Sequence, residues 1–169
     1  MKQSIEFSVK PEWEEIEKVR NKSLDFLQSH GLSDDAVHSL SMIISELIEN
    51  GIKYGDFKMV ENKVVVSIQL EHNNVTIEVN NPVGERELAL KHLNRLDKRI
   101  QWIRGYQDPF EAYIKRIKEV SKKPLHDEES GIGLVRIAYE GKALLDFFVG
   151  DNSMLNVSVV SNLEGEDNY

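Results

Sequence analysis

Glu46, Asn50 and Lys53 stand at helical spacing within Ser45-Glu46-Leu47-Ile48-Glu49-Asn50-Gly51-Ile52-Lys53-Tyr54-Gly55. An α-helix turns by about 100° per residue, so with Glu46 at zero Asn50 falls at about 40° and Lys53 at about −20°. A carboxylate, an amide and an ammonium therefore share one narrow stripe. Val37, Leu40, Ile43, Ile44, Leu47 and Ile48 fall on a neighbouring apolar arc, the spacing of a helix packed on a core. Beside a metal-bound phosphate, the carboxylate can accept a proton from a hydroxyl or water. The amide oxygen can ligate magnesium, which takes one or two protein oxygens and shares the rest of its shell with water and phosphates. Two plainer readings compete. A Glu and an Asn four apart also occur on solvated helix faces, and a lysine near a helix C-terminus is favoured by the helix dipole without any ligand.

Further pieces are suggestive. Gly131-Ile132-Gly133-Leu134 opens a helix after the acidic loop His126-Asp127-Glu128-Glu129-Ser130. Two glycines there let backbone N–H groups approach a phosphate, although a lone Gly-x-Gly also suits a plain loop. Asn80-Asn81-Pro82-Val83-Gly84 reads as the end of a strand with turn residues, or as a side chain at the mouth of a sheet that hydrogen-bonds a base. The basic run Lys115-Arg116-Ile117-Lys118 is interrupted by apolar residues at helical spacing and reads as a solvated helix face. The histidines form no His-x-x-x-His pair, so no zinc site is expected, and no serine sits in a nucleophile elbow.

The elements that must position these groups follow from periodicity. Residues 4–9 alternate like a strand, and Pro11 suits the first turn of the helix after it. Trp13, Ile16, Val19, Leu24 and Leu27 make that helix's broken apolar stripe, and Gly31 ends it. Ser33 is the expected N-cap of the second helix, with Asp34 and Asp35 in its first turn, and Gly55 is its expected stop. Residues 64–70 and 75–79 read as strands joined by His72-Asn73-Asn74. Helical periodicity runs over 85–103 and 110–120, and Lys122-Lys123-Pro124 stops it. A short helix to about residue 139 precedes a last hairpin, 143–149 and 155–160, turning at Asp151-Asn152-Ser153. The order predicts an α+β, two-layer α/β sandwich, with a mixed, mainly antiparallel sheet and helices on one face. Residues 1–163 read as one domain with a helical, lid-like insert at about 85–130; residues 164–169 are a polar tail.

The bulk properties narrow the classes. A chain of 169 residues suffices for one domain with a substantial core. No apolar run is long enough for a membrane span, and the N-terminus lacks the apolar centre of a signal peptide. With no cysteine there is no disulfide framework or thiolate chemistry, and cytoplasmic residence is the simplest reading. A net charge of −8 argues against nucleic acid as the main partner. It does not exclude ATP, whose site needs only local positive charge and magnesium.

In order, the pieces resemble the GHKL ATPases, the superfamily of gyrase, MutL, histidine kinases and anti-sigma-factor serine kinases. Glu46-Leu47-Ile48-Glu49-Asn50 matches the family's Glu-x-x-x-Asn box, and Ser130-Gly131-Ile132-Gly133-Leu134-Val135 its second glycine box. The resemblance spans about residues 33–160 and implies a Bergerat-type ATP-binding fold. It implies that Asn50 binds Mg2+, that Glu46 is the catalytic base, and that Lys53 lies near the phosphates. Gly131 and Gly133 would cradle the triphosphate, and 85–130 would take the place of the ATP lid. The first glycine box departs from the pattern: Asn81 stands for the aspartate that holds the adenine amino group, and Gly84 is the one glycine left of two. With no dimerisation helices ahead and no transducer domain behind, the chain looks most like the stand-alone anti-sigma-factor kinases, and its insert and Asn81 like the divergent SiaB-like branch. That resemblance implies an ATP- and magnesium-dependent serine/threonine protein kinase. Its substrate would be a small, anti-sigma-antagonist-like protein in a partner-switching pathway, and family members commonly form homodimers. A degenerate module on the same fold, binding a partner without catalysis, is the alternative.

Overall fold

The computed structural model describes residues 2–58, 63–84, 86–122, 131–150 and 153–163. The acidic loop 126–130, Lys123-Pro124, Asp151-Asn152 and the tail 164–169 lie outside the described residues. The chain runs β1 (Lys2–Val9), α1 (Trp13–Ser29), α2 (Asp34–Tyr54), β2 (Val64–Glu71), β3 (Asn74–Pro82), α3 (Arg86–Arg104), α4 (Pro109–Val120), α5 (Ile132–Tyr139), β4 (Ala143–Val149) and β5 (Met154–Asn162).

The strands form one sheet in the order β1-β2-β3-β5-β4. Every described pairing is antiparallel, so the expected mainly antiparallel sheet has no parallel pair among the described residues. Alternation places Val64, Val66, Ile68 and Leu70 of β2 on the buried face, with Val75, Ile77 and Val79 of β3 and Leu155, Val157 and Val159 of β5. Helices cover that face, which gives the two layers of an α/β sandwich. The opposite face carries Glu78, Asn80 and Ser158, and at β4 the exposed Leu144 and Phe148.

α2 lies over the centre of this sheet. Its apolar arc is buried as the periodicity predicts, Ile43, Ile44 and Ile48 completely, and each such side chain stabilises the fold by roughly 1.5–3 kcal/mol. Gly51 lets the helix approach closely, since a Cβ there would stand 3.2 Å from Val79 Cγ1. The Ser33 side chain accepts a hydrogen bond from the Ala36 N–H at 3.2 Å, the expected N-cap. Gly55 stops the helix for a reason other than left-handed backbone. Its φ is −74°, and what it spares is space, since a Cβ would stand 2.5 Å from the Phe57 ring.

Other boundaries shift. Pro11 lies ahead of Glu12, the N-cap of α1, rather than inside the first turn. The first hairpin turns at His72 and Asn73, because Asn74 already pairs with Glu71. The stretch expected to be lid-like contributes to the core: Leu96, Ile100 and Ile103 of α3 are buried.

Candidate functional site

Glu46, Asn50 and Lys53 of α2 line a cavity of about 630 Å³. Asn81 of β3, and Gly131 and Gly133 at the start of α5, line the same cavity. Residues far apart in sequence thus meet because α2 and α5 both pack on the core side of the sheet. Gly84 is not among the lining residues. Its missing side chain makes room for Asp56, whose Oδ2 would stand 2.6 Å from a Cβ at that position.

Asn81 is inside β3, paired with Leu155 of β5, rather than in a turn beyond the strand. Alternation turns it to the core face with Val79, where it is 2% exposed. The turn chemistry of Pro82 did not end the strand, because β5 supplies a partner for it as far as Met154.

Glu46 is held from α5. Its Oε1 accepts a hydrogen bond from Arg136 Nη1 at 2.9 Å. Arg136 also pairs with Glu140, Nη2 to Oε2 at 3.2 Å. Burial pushes the Glu46 carboxyl above its ordinary range; Arg136 opposes that shift and the Glu49 charge adds to it. The carboxylate lies tight against the start of α5, where a Cβ on Gly133 would collide with Glu46 Oε2. Lys53 is exposed at the rim, its ammonium 5.3 Å from the Tyr54 ring centre. Tyr54 in turn stacks on His92 of α3 at 4.2 Å.

The cavity's opposite wall was not read from the sequence. His92, Arg95, Arg99 and Trp102 line it from α3, and Arg116 from α4. Positions 92, 95, 99 and 102 repeat at helical spacing one step from the buried stripe Leu96, Ile100 and Ile103, a second stripe on α3 that could have been noticed. Arg116 corrects the reading of residues 115–118 as a solvated face. It follows Ala112 by one helical turn, so it falls on the buried side, is 6% exposed, and pairs with Glu119 at 3.1 Å.

The electrostatics are distinctive. Among the described lining residues, Lys53, Arg95, Lys98, Arg99 and Arg116 outnumber the carboxylates Glu46 and Glu49, in a chain of net charge −8. Such a wall attracts an anion. Among the described residues no cluster of three His, Asp or Glu could hold a metal ion, and no helix is long and apolar enough to cross a membrane.

The fold and cavity define a class: an α+β sandwich with a cationic cleft between its central helix and the helices around it. No protein-family model matches the chain, and no curated protein does. Among solved structures it is similar to a chain in the crystal structure of the SiaB-SiaC complex from Pseudomonas aeruginosa. The TM-score is 0.66 at 16% sequence identity, covering 93% of this chain and 88% of that one. At that identity the likeness shows the fold, over nearly the whole chain.

Proposed function

We propose that the chain is a regulatory protein that binds magnesium-ATP in this cavity and phosphorylates a serine or threonine of a small partner protein. The observation that carries the reading is the cationic wall facing Glu46, Asn50, Lys53 and the two α5 glycines in one cavity of about 630 Å³, a volume in the range of small-molecule sites. One structural neighbour was crystallised as a SiaB-SiaC complex, which supports a protein partner.

The residues fit the ligand. Magnesium-ATP, when bound, supplies the transferable phosphoryl group and the charge of the metal. Asn50 would give the metal its amide oxygen, a sparse protein contribution that suits magnesium held mainly by phosphates and water. Lys53 and the backbone N–H groups around Gly131 and Gly133 would take up phosphate charge. Asn81 would accept a hydrogen bond from the adenine amino group, more weakly than a carboxylate would. Glu46 would take the proton of the partner's hydroxyl, a role suited to a carboxyl whose proton affinity is raised by burial. Arg136 engages Glu46 Oε1, which leaves Oε2 as the oxygen that would take that proton.

That ion pair also favours a second reading, an interaction module in which Glu46 serves as a structural link to α5 and no phosphate is transferred. Thermal unfolding with and without magnesium-ATP, beside Asn50→Ala, tests the site. A ligand at one hundred times its Kd adds about 2.7 kcal/mol, which raises Tm by about 5 °C or more in a domain of this size. A magnesium-dependent rise that Asn50→Ala abolishes is expected; no rise at millimolar ATP refutes nucleotide binding. Phosphate transfer to a partner at the wild-type rate by Glu46→Ala would refute the role of the base.

A further inference from the structure

Trp13 departs from its place in the sequence pattern. Helical spacing puts it on the apolar stripe of α1 with Ile16, Val19 and Leu27. Those three are buried, whereas Trp13 is 61% exposed. A single exposed apolar side chain is ordinary on a protein surface. This one lines the cavity that holds Glu46, Asn50 and Asn81.

The two ends of that cavity differ. At the α5 end charge crowds the glycines: a Cβ on Gly131 would stand 3.4 Å from Arg99 Nη2, and one on Gly133 would collide with Glu46 Oε2. At the other end the neighbours are apolar or neutral. A Cβ on Gly51 would lie 3.2 Å from Val79 Cγ1, 3.4 Å from Val64 Cγ1 and 3.5 Å from Asn81 Oδ1. Val64 pairs with Val9, and Trp13 opens α1 just beyond that strand. Trp13 therefore borders the cavity at the Gly51 end, the end of the Asn81 amide. The second tryptophan, Trp102, also lines the cavity, but its ring is engaged. Tyr106 packs edge-on against it at 4.9 Å, and the Arg99 guanidinium carbon lies 5.4 Å from its centre. Among the described residues no other ring packs on Trp13, and most of the side chain is open to solvent.

We propose that Trp13 is the platform on which the base of the bound nucleotide stacks. The proposal rests on the reading of the cavity as a nucleotide site. A base would offer its edge to Asn81 and its face to the indole, so the two side chains divide its recognition. Hydrogen bonding selects the edge, whereas stacking holds any planar ring. A neutral amide accepts more weakly than a carboxylate, and the stack adds affinity that the amide does not supply.

The test is calorimetric titration of magnesium-ATP into the wild-type chain, Trp13→Ala and Trp13→Phe, with far-UV circular dichroism to establish that the variants fold. Trp13→Ala is expected to weaken ATP roughly fivefold or more, the effect of losing one base-to-ring stack. Trp13→Phe keeps a smaller ring and is expected to fall between. Tryptophan fluorescence is the second readout, because a role in folding alone would not move it. ATP should change the emission of the wild-type chain, and Trp13→Phe, which retains Trp102, should lose most of that change. If Trp13→Ala binds ATP within twofold of the wild type, or if Trp13→Phe shows the full emission change, the platform is refuted while the nucleotide site stands. If the wild-type chain does not bind ATP, the nucleotide reading fails and the platform with it.

Discussion

Gly133→Ala probes the contact between α2 and α5 directly. The new methyl would collide with Glu46 Oε2. The carboxylate is the far end of a flexible side chain, so it can turn away, but doing so breaks the 2.9 Å pair with Arg136. That pair is part-buried, its side chains 22% and 36% exposed, and a pair of this kind contributes about 1 kcal/mol at most. A displaced rotamer adds roughly 0.5–1.5 kcal/mol. Against this, Ala is a better helix former than Gly by up to about 1 kcal/mol. With the full propensity gain, the net effect on stability lies between about 0.5 kcal/mol favourable and about 1.5 kcal/mol unfavourable. The informative quantity is the coupling. In a Glu46→Ala background there is no carboxylate to displace, so Gly133→Ala becomes neutral or stabilising. The double-mutant cycle by urea unfolding should give a coupling of about 1–2 kcal/mol, above the roughly 0.5 kcal/mol within which independent sites add. A coupling below that threshold would mean that Glu46 does not lie against Gly133, and the account of how α5 positions the carboxylate would be wrong.

The Glu46→Gln variant separates burial from pairing. Because burial raises the folded carboxyl's pKa, the folded state binds more protons than the unfolded state as pH climbs from the ordinary carboxylate value. The wild type then loses stability as pH rises through that window, and the variant does not. The Tm of Glu46→Gln relative to wild type should therefore increase with pH from about 4 upward; a decrease would mean that Arg136 outweighs burial. Ser33→Ala removes the side-chain acceptor of the Ala36 N–H and should lower stability by about 1 kcal/mol in denaturant unfolding, with no loss beyond scatter arguing that water replaces the cap. Ile48→Ala opens a cavity where α2 meets the sheet and should lower stability by about 2–5 kcal/mol; a loss under 1 kcal/mol would show that the core collapses around the gap.

What could be read in the chain was whatever depends on local chemistry and period. The arc from Val37 to Ile48 announced a buried face because helical spacing is independent of context, and Ser33 announced a cap because its hydroxyl reaches only its own helix. The strands of β2 and β3 announced themselves by alternation. Glu46, Asn50 and Lys53 share a stripe for the same reason, and their types suggested phosphate chemistry before any contact was known. The spatial outcome depended on long-range packing. Asn81 became a buried strand residue because β5 pairs beyond the point where proline and asparagine favour a turn. Gly84 does not line the cavity, and Asp56 lies against that glycine. Arg136 reached Glu46 across ninety positions of sequence, and Arg116 turned inward, with Ala112, on the buried side of its helix. The cationic wall of α3 and α4 came from arginines that carry no motif. Side-chain type and spacing set which groups can do chemistry, while the packing of helices on the sheet decides which charges face one another, because that geometry is made by contacts between residues distant in the chain.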